Sequence, residues 1–414
     1  MNGRRRAVIT GMGIRTAAGS TLDELWDRVT HGRSAARQIT RFDTSRTPTK
    51  IAAEMDELAP SSVVPDSKVA RRLDTVTLYG LDAAKSAWAD ARVVEDRLDR
   101  ERFGVVVGTA LGGMASTIKS YDGLTARGYR GVGLGATLNS HSGATAGEIA
   151  IALRARALAA TVGASSASGN DAIGYASDLI QLDECDVVVA GAAEAPLLPV
   201  IWASLCVSGV MTSRNDDPES SMRPFDREHD GMLLGEGAAF LVIEELEHAL
   251  ARGAHVYAEV LAHGRSSEIH HPLAPRADGQ GPYEAMRKAL RRANLDPSMI
   301  DYVNAHGTGT TANDAAESAG IRRALGDAAV AVSSTKPVTG HLLGAAGALE
   351  TVVTALAVER GLVPMTKNFA SAASGCDLDY VGGESRVKKV RAALNLNCGF
   401  GGMNSCLVLG QHAA

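Results

Sequence analysis

The feature that most constrains this chain is an alternation kept from end to end: apolar runs bounded by glycine, separated by alanine-rich segments of helical spacing. "RAVITGMG", "RFGVVVGTALGG", "CDVVVAGAAEA" and "GAAFLVIEELEHAL" lie in the first 250 residues; "HVYAEVLAHG", "IDYVNAHGTGT", "AVAVSSTKP" and "NSCLVLGQ" lie beyond. Near-continuous hydrophobic runs of this length fit strands covered on both faces, because a half-exposed strand would alternate polar and apolar residues. Segments such as "TVTLYGLDAAKSAWADA" and "GALETVVTALAVERG" supply the covering helices. An α/β layered architecture follows. A change of character near 251–258 divides the chain into an N-terminal half, 1–250, and a C-terminal half, 251–414, although their similarity is too weak to establish a repeat.

Composition excludes several functions. A net charge of −5 gives no basic footprint for nucleic acid. No run of about 18 apolar residues would span a membrane, and the short apolar stretch after the arginines of "MNGRRRAVITGMG" reads as a first strand and not as a signal peptide. The five cysteines are widely spaced and lack any CxxC, which argues against a disulfide framework or a metal site and for a cytoplasmic protein. "GMGIRTAAG" has Thr16 where a dinucleotide fingerprint needs its third glycine, so no nucleotide cofactor is expected.

Four stretches carry the candidate chemistry. "TVGASSASGNDAIG" sets serines before a helix start, a pattern that capping alone explains when met by itself. "NAHGTGT" ends a strand at His306, "STKPVTGHLLGAAGALE" holds Lys336, His341 and Glu350, and "NCGFGGMNS" is a glycine-rich turn around Phe400. Each has an ordinary structural explanation, but their combination and order do not.

Together with "RPFDREHDGMLLGEGAAFLVIEELEHALARGA", these stretches resemble the β-ketoacyl-ACP synthases, condensing enzymes of the thiolase-like superfamily. The resemblance implies a duplicated five-layer α-β-α-β-α fold, a homodimer or a heterodimer with a ketosynthase homologue, and acyl thioester substrates. The family's turn reads approximately S-T-A-C-x-S-G with cysteine as nucleophile; aligned on the final Ser-Gly, that position is Ser166. The flanking Ala164 and Ser165 also differ from the usual Thr-Ala, so more than one exchange separates the two turns.

By the same resemblance His306 and His341 match the active-site histidines, Lys336 and Glu350 a charge pair, and the N–H groups of Ser166 and Phe400 an oxyanion hole. Met232 replaces an active-site phenylalanine, His229 an arginine, and "SEIHHP" keeps a pocket histidine as His270, with Pro272 where threonine is usual. Cys398 and Met403 alter the glycine-rich turn; Cys398 reads as a packing thiol. Lys68, Arg71 and Arg72 match a basic patch at the tunnel mouth that meets an acyl carrier protein. The 414 residues contain no carrier or acyltransferase segment, which suggests a dissociated polyketide or fatty-acid-like system.

The hydroxyl changes the expected chemistry. A thiol at a helix N-terminus is readily ionised, whereas a serine needs a base that takes its proton as it attacks. Acyl transfer from a thioester to serine is downhill, but the oxygen ester is a poorer electrophile for a carbanion. The expectation is therefore an acyltransferase using Ser166. Its alternatives are a noncatalytic partner subunit like the chain-length factors, which also lose one or both histidines, and a slow carbon–carbon condensing enzyme.

Overall fold

The computed structural model of the protein describes residues 5–326 and 328–412. Ten strands build its central sheet: β1 (Ala7–Thr16), β2 (Phe103–Gly108), β3 (Leu158–Val162), β4 (Val187–Glu194), β5 (Gly237–Glu245), β6 (Ala258–Ser267), β7 (Tyr302–Asn304), β8 (Ala331–Ser333), β9 (Ala392–Gly399) and β10 (Met403–Gly410). A two-residue strand, Asp379–Tyr380, extends the β8 edge. All eight apolar runs read from the sequence form strands. β3 and β9 fall outside those runs: β3 is a partly exposed edge whose short apolar stretch is broken by Thr161, and asparagines interrupt β9.

The strand order makes the duplication explicit. In the N-terminal half it is β1-β5-β4-β2-β3; in the C-terminal half it is β6-β10-β9-β7-β8. Adding five to each label converts one half into the other. The pairing senses also agree: two antiparallel neighbours followed by two parallel ones in each half. The halves join through a short antiparallel contact of β1 with β6 at Ala7–Ile9.

The helices repeat in the same way. α1 (Thr75–Ala91) and α2 (Ala144–Leu153) cover the outer face of the first half-sheet; α4 (Gln280–Ala293) and α5 (Thr311–Leu325) cover the second. Between the half-sheets lie α3 (Ser168–Gln181) and α6 (Ala346–Arg360). Three separate apolar cores fill the gaps, one around the α3/α6 layer and one under each outer helix pair, giving five layers.

α3 and α6 occupy equivalent places, each after the third strand of its half, and both start at the same point in space. Small residues allow this. A Cβ on Gly169 would lie 2.4 Å from the backbone nitrogen of Ala348, and one on Gly347 would lie 2.8 Å from that of Asn170. The Asn395 amide fixes the contact by donating to Asn170 Oδ1 at 2.9 Å, Gly347 O at 2.9 Å and Thr351 Oγ1 at 2.8 Å. Two helix N-termini, and the loops that lead into them, are thereby pressed together in the protein interior.

Candidate active site

The loops that meet there carry the candidate residues. Ser166 precedes α3 in a tight turn. Ser165 adopts a left-handed backbone, φ 51°, and Ser168 Oγ accepts the Ala164 N–H at 2.8 Å and donates to Ser165 O at 2.6 Å. His341 lies in the corresponding loop before α6, held by backbone bonds from its N–H to Leu233 O, 2.7 Å, and from Gly235 N–H to its own carbonyl, 3.0 Å. The result is direct contact: Ser166 Oγ is 3.0 Å from His341 Nε2.

His306 follows β7, its ring 5.1 Å from that of His341 and nearly perpendicular to it. Glu317 on α5 fixes this loop, accepting the N–H groups of His306 and Gly307 at 2.6 and 2.7 Å. Glu194 does the same for the His341 loop, accepting from Gly344 N at 3.1 Å and from Ala110 and Leu111 N at 2.6 and 3.1 Å. Burial pushes both carboxyls up to about 7, against the pull of these N–H bonds.

Lys336 and Glu350 form a fully buried ion pair behind the histidines. Burial raises the Glu350 carboxyl, while the Lys336 ammonium pulls it back down. Burial first, and then the Lys336 charge, hold both His306 and His341 well below the ordinary imidazole value. Both rings are therefore neutral at pH 7. Burial also raises the Cys398 thiol well above its usual range, which leaves it protonated and unreactive.

A cavity of 330 Å³ opens onto this cluster, lined by Ser166, His306, His341, Met232, Cys398 and Phe400. The backbone N–H groups of Ser166 and Phe400 donate to no protein acceptor among the described residues. A Cβ on Gly399 would come within 3.2 Å of Ser166 N, so the glycine lets the Phe400 loop approach that N–H. Among the described residues no group of His, Cys, Asp and Glu side chains could hold a metal ion.

Full-length similarity to known proteins coincides with this arrangement. The β-ketoacyl synthase N-terminal domain matches residues 4–249 and the C-terminal domain residues 257–370. The chain belongs to the β-ketoacyl synthase family. It is 38% identical to a 3-oxoacyl-[acyl-carrier-protein] synthase 2 of Coxiella burnetii, over 99% of both chains. It is 39% identical to the granaticin polyketide putative beta-ketoacyl synthase 1 of Streptomyces violaceoruber, over 98% of both. Among solved structures, the ishigamide ketosynthase/chain length factor superposes with a TM-score of 0.92 at 35% identity, covering 99% of this chain and all of that one. The fold is the thiolase-like ketosynthase fold.

Within this candidate site some expected residues stand elsewhere. His270 and His271 are both exposed, but it is His271, its Nδ1 accepting the Leu273 and Ala274 N–H groups at 3.1 Å, that lines the cavity. The sequence "SEIHHP" offers two adjacent histidines, and only the turn decides between them. Met403 is 41% exposed and does not line the cavity. Lys68, Arg71 and Arg72 do not border it either: Lys68 and Arg71 are exposed, Arg71 lines a second cleft, and Arg72 pairs with Glu148 at 2.7 Å. His229 faces away, its Nδ1 2.9 Å from Asp314 Oδ2.

Glu194, Glu317 and Asn397 went unnoticed in the sequence. Glu317 ends the stretch "NAHGTGTTANDAAE", where Asp314 and Glu317 on one face of α5, following a glycine-rich loop, were the available signal. Asn397 opens the glycine-rich run "NCGFGGMNS" and Glu194 lies near the end of the apolar run "CDVVVAGAAEA", but nothing in either run assigns them a partner.

Proposed function

We propose that this ketosynthase-family protein takes an acyl group from a thioester onto Ser166 and passes it to an acceptor. The observation that carries the reading is the 3.0 Å contact of Ser166 Oγ with a neutral His341 inside a cavity. His341 Nε2 takes the hydroxyl proton as Oγ attacks the thioester carbonyl. The oxyanion is met by the free N–H groups of Ser166 and Phe400. Collapse breaks the C–S bond, the thiol leaves with the proton from His341, and an acyl-Ser166 ester remains. An amine, alcohol or water then attacks that ester, giving its proton to His341, which returns it to Ser166 Oγ.

His341 Nδ1 is buried with no partner among the described residues, so no hydrogen bond opposes the tautomer that leaves Nε2 free to accept. The donor is an acyl carrier protein, as in a solved complex of a type II polyketide acyl-carrier protein with its ketosynthase that superposes with a TM-score of 0.89 at 28% identity. The exposed Lys68 and Arg71 offer charge to such a partner. The protein acts as a cytoplasmic dimer, with itself or with a ketosynthase homologue.

A chase experiment tests the reading. The protein is loaded from an acyl carrier-protein thioester and then given an amine, an alcohol or a malonyl carrier protein. Release to the amine or alcohol supports acyl transfer. A β-keto product from the malonyl carrier alone overturns it in favour of condensation.

A further inference from the structure

Asn397 lies at the end of β9, behind the two histidines, and the family pattern gives it no task. Its side-chain Nδ2 makes two contacts: 2.6 Å to Glu350 Oε2 and 3.3 Å to His306 Nδ1. The first fixes which way the amide faces, because a flip would set Oδ1 against the Glu350 carboxylate. The amide oxygen instead points to a place kept open by Gly347, where a Cβ would lie 2.4 Å from it. With the amide so fixed, the hydrogen directed at His306 is a donor, and Nδ1 must accept.

A neutral imidazole carries one proton. If Nδ1 accepts, that proton is on Nε2. Among the described residues the Nε2 atom has no protein partner and, unlike His341 Nδ1, is not sealed in the interior; His306 lines the cavity. The main chain at His306 is held independently by Glu317, which accepts its N–H.

We propose that Asn397 is a positioning residue that locks His306 as the Nε2–H tautomer, making it a hydrogen-bond donor to the bound acyl group and leaving His341 alone as the base for Ser166. This division of labour rests on the acyl-transfer reading above; the tautomer itself does not.

The test is the long-range proton–nitrogen NMR spectrum of full-length protein labelled with 15N-histidine, His306 being assigned by the signals lost in His306→Gln. In the imidazole ring Nε2 couples to both carbon-bound protons and Nδ1 strongly to one, so the protonated nitrogen identifies itself. The wild-type protein is expected to show the proton on Nε2. Asn397→Leu keeps the volume and removes the donor; the His306 signals are expected to move toward a mixture of tautomers, and Ser166 acylation to slow about fivefold, the worth of one net hydrogen bond.

Asn397→Gln, which restores an amide donor, is expected to recover part of the loss. A wild-type His306 protonated on Nδ1 overturns the proposal without any variant having to fold, as does an Asn397→Leu protein with unchanged His306 signals. Absence of acylation in the wild type would instead sink the acyl-transfer reading, leaving the tautomer assignment to stand or fall on the spectrum.

Discussion

Replacing Lys336 by methionine keeps most of the side-chain volume and removes one charge of a pair buried on both sides. Glu350 is then left in the interior beside Asn397 with no cation. An unpaired buried carboxylate is too costly to persist, so the variant escapes by protonating Glu350. Holding a carboxyl with an ordinary value of 4.5 in its acid form at pH 7 costs about 3.5 kcal/mol, at about 1.4 kcal/mol per pH unit. This falls within the roughly 3–5 kcal/mol typical of breaking a buried pair.

The same reasoning fixes the sign of the pH dependence. A carboxyl raised in the folded state makes unfolding easier as pH climbs from the unfolded value of 4.5 toward the folded one. The deficit of Lys336→Met relative to wild type should therefore shrink to about 1 kcal/mol at pH 5. Equilibrium urea unfolding of both proteins at pH 5, 6 and 7 measures it, and adding Glu350→Gln should remove the pH dependence. A deficit below about 1 kcal/mol at pH 7, or one that stays constant down to pH 5, refutes the reasoning.

Two further outcomes follow from the site. Gly169→Ala puts a methyl 2.4 Å from the Ala348 backbone nitrogen; overpacking of this kind costs about 1–3 kcal/mol. Thermal unfolding should show that loss, and acylation of Ser166 should fall more steeply than stability, because the loops leading into α3 and α6 hold Ser166 and His341. The rate of Ser166 acylation should be flat from pH 8 to pH 6, because burial and the Lys336 charge keep His341 neutral throughout; stopped-flow single-turnover acylation reads it. An imidazole of ordinary pKa would lose activity about fourfold over that range.

How much of this was legible in the sequence depended on the kind of constraint. Strands buried on both faces announce themselves as unbroken apolar runs, which is why β1, β4 and β5 were plain. β3 escaped because it is an edge strand of mixed burial, and β9 because Asn395 and Asn397 interrupt an apolar run for the sake of buried networks. The resemblance implied the duplication, although the two halves are too dissimilar in sequence to establish a repeat; it became plain in the pairing, because strand order is fixed by which faces must be covered, a requirement many sequences meet. Ser166, His306 and His341 could be named from motif likeness, but the 3.0 Å contact depends on the approach of Gly169 and Gly347 to the opposite helix, a long-range event. The choice between His270 and His271 turned on local turn geometry, in which His271 Nδ1 accepts the N–H groups of Leu273 and Ala274, and not on residue type.

The central claim is that Ser166 is the nucleophile and His341 its base. Peptide mass spectrometry after incubation with a panel of acyl carrier-protein thioesters tests it most directly, with Ser166→Ala and His341→Ala run alongside. The account predicts an acyl mass on the Ser166 peptide of the wild-type protein, absent in Ser166→Ala and much slower to appear in His341→Ala. No acyl mass on that peptide across the panel, or one undiminished without His341, would contradict it.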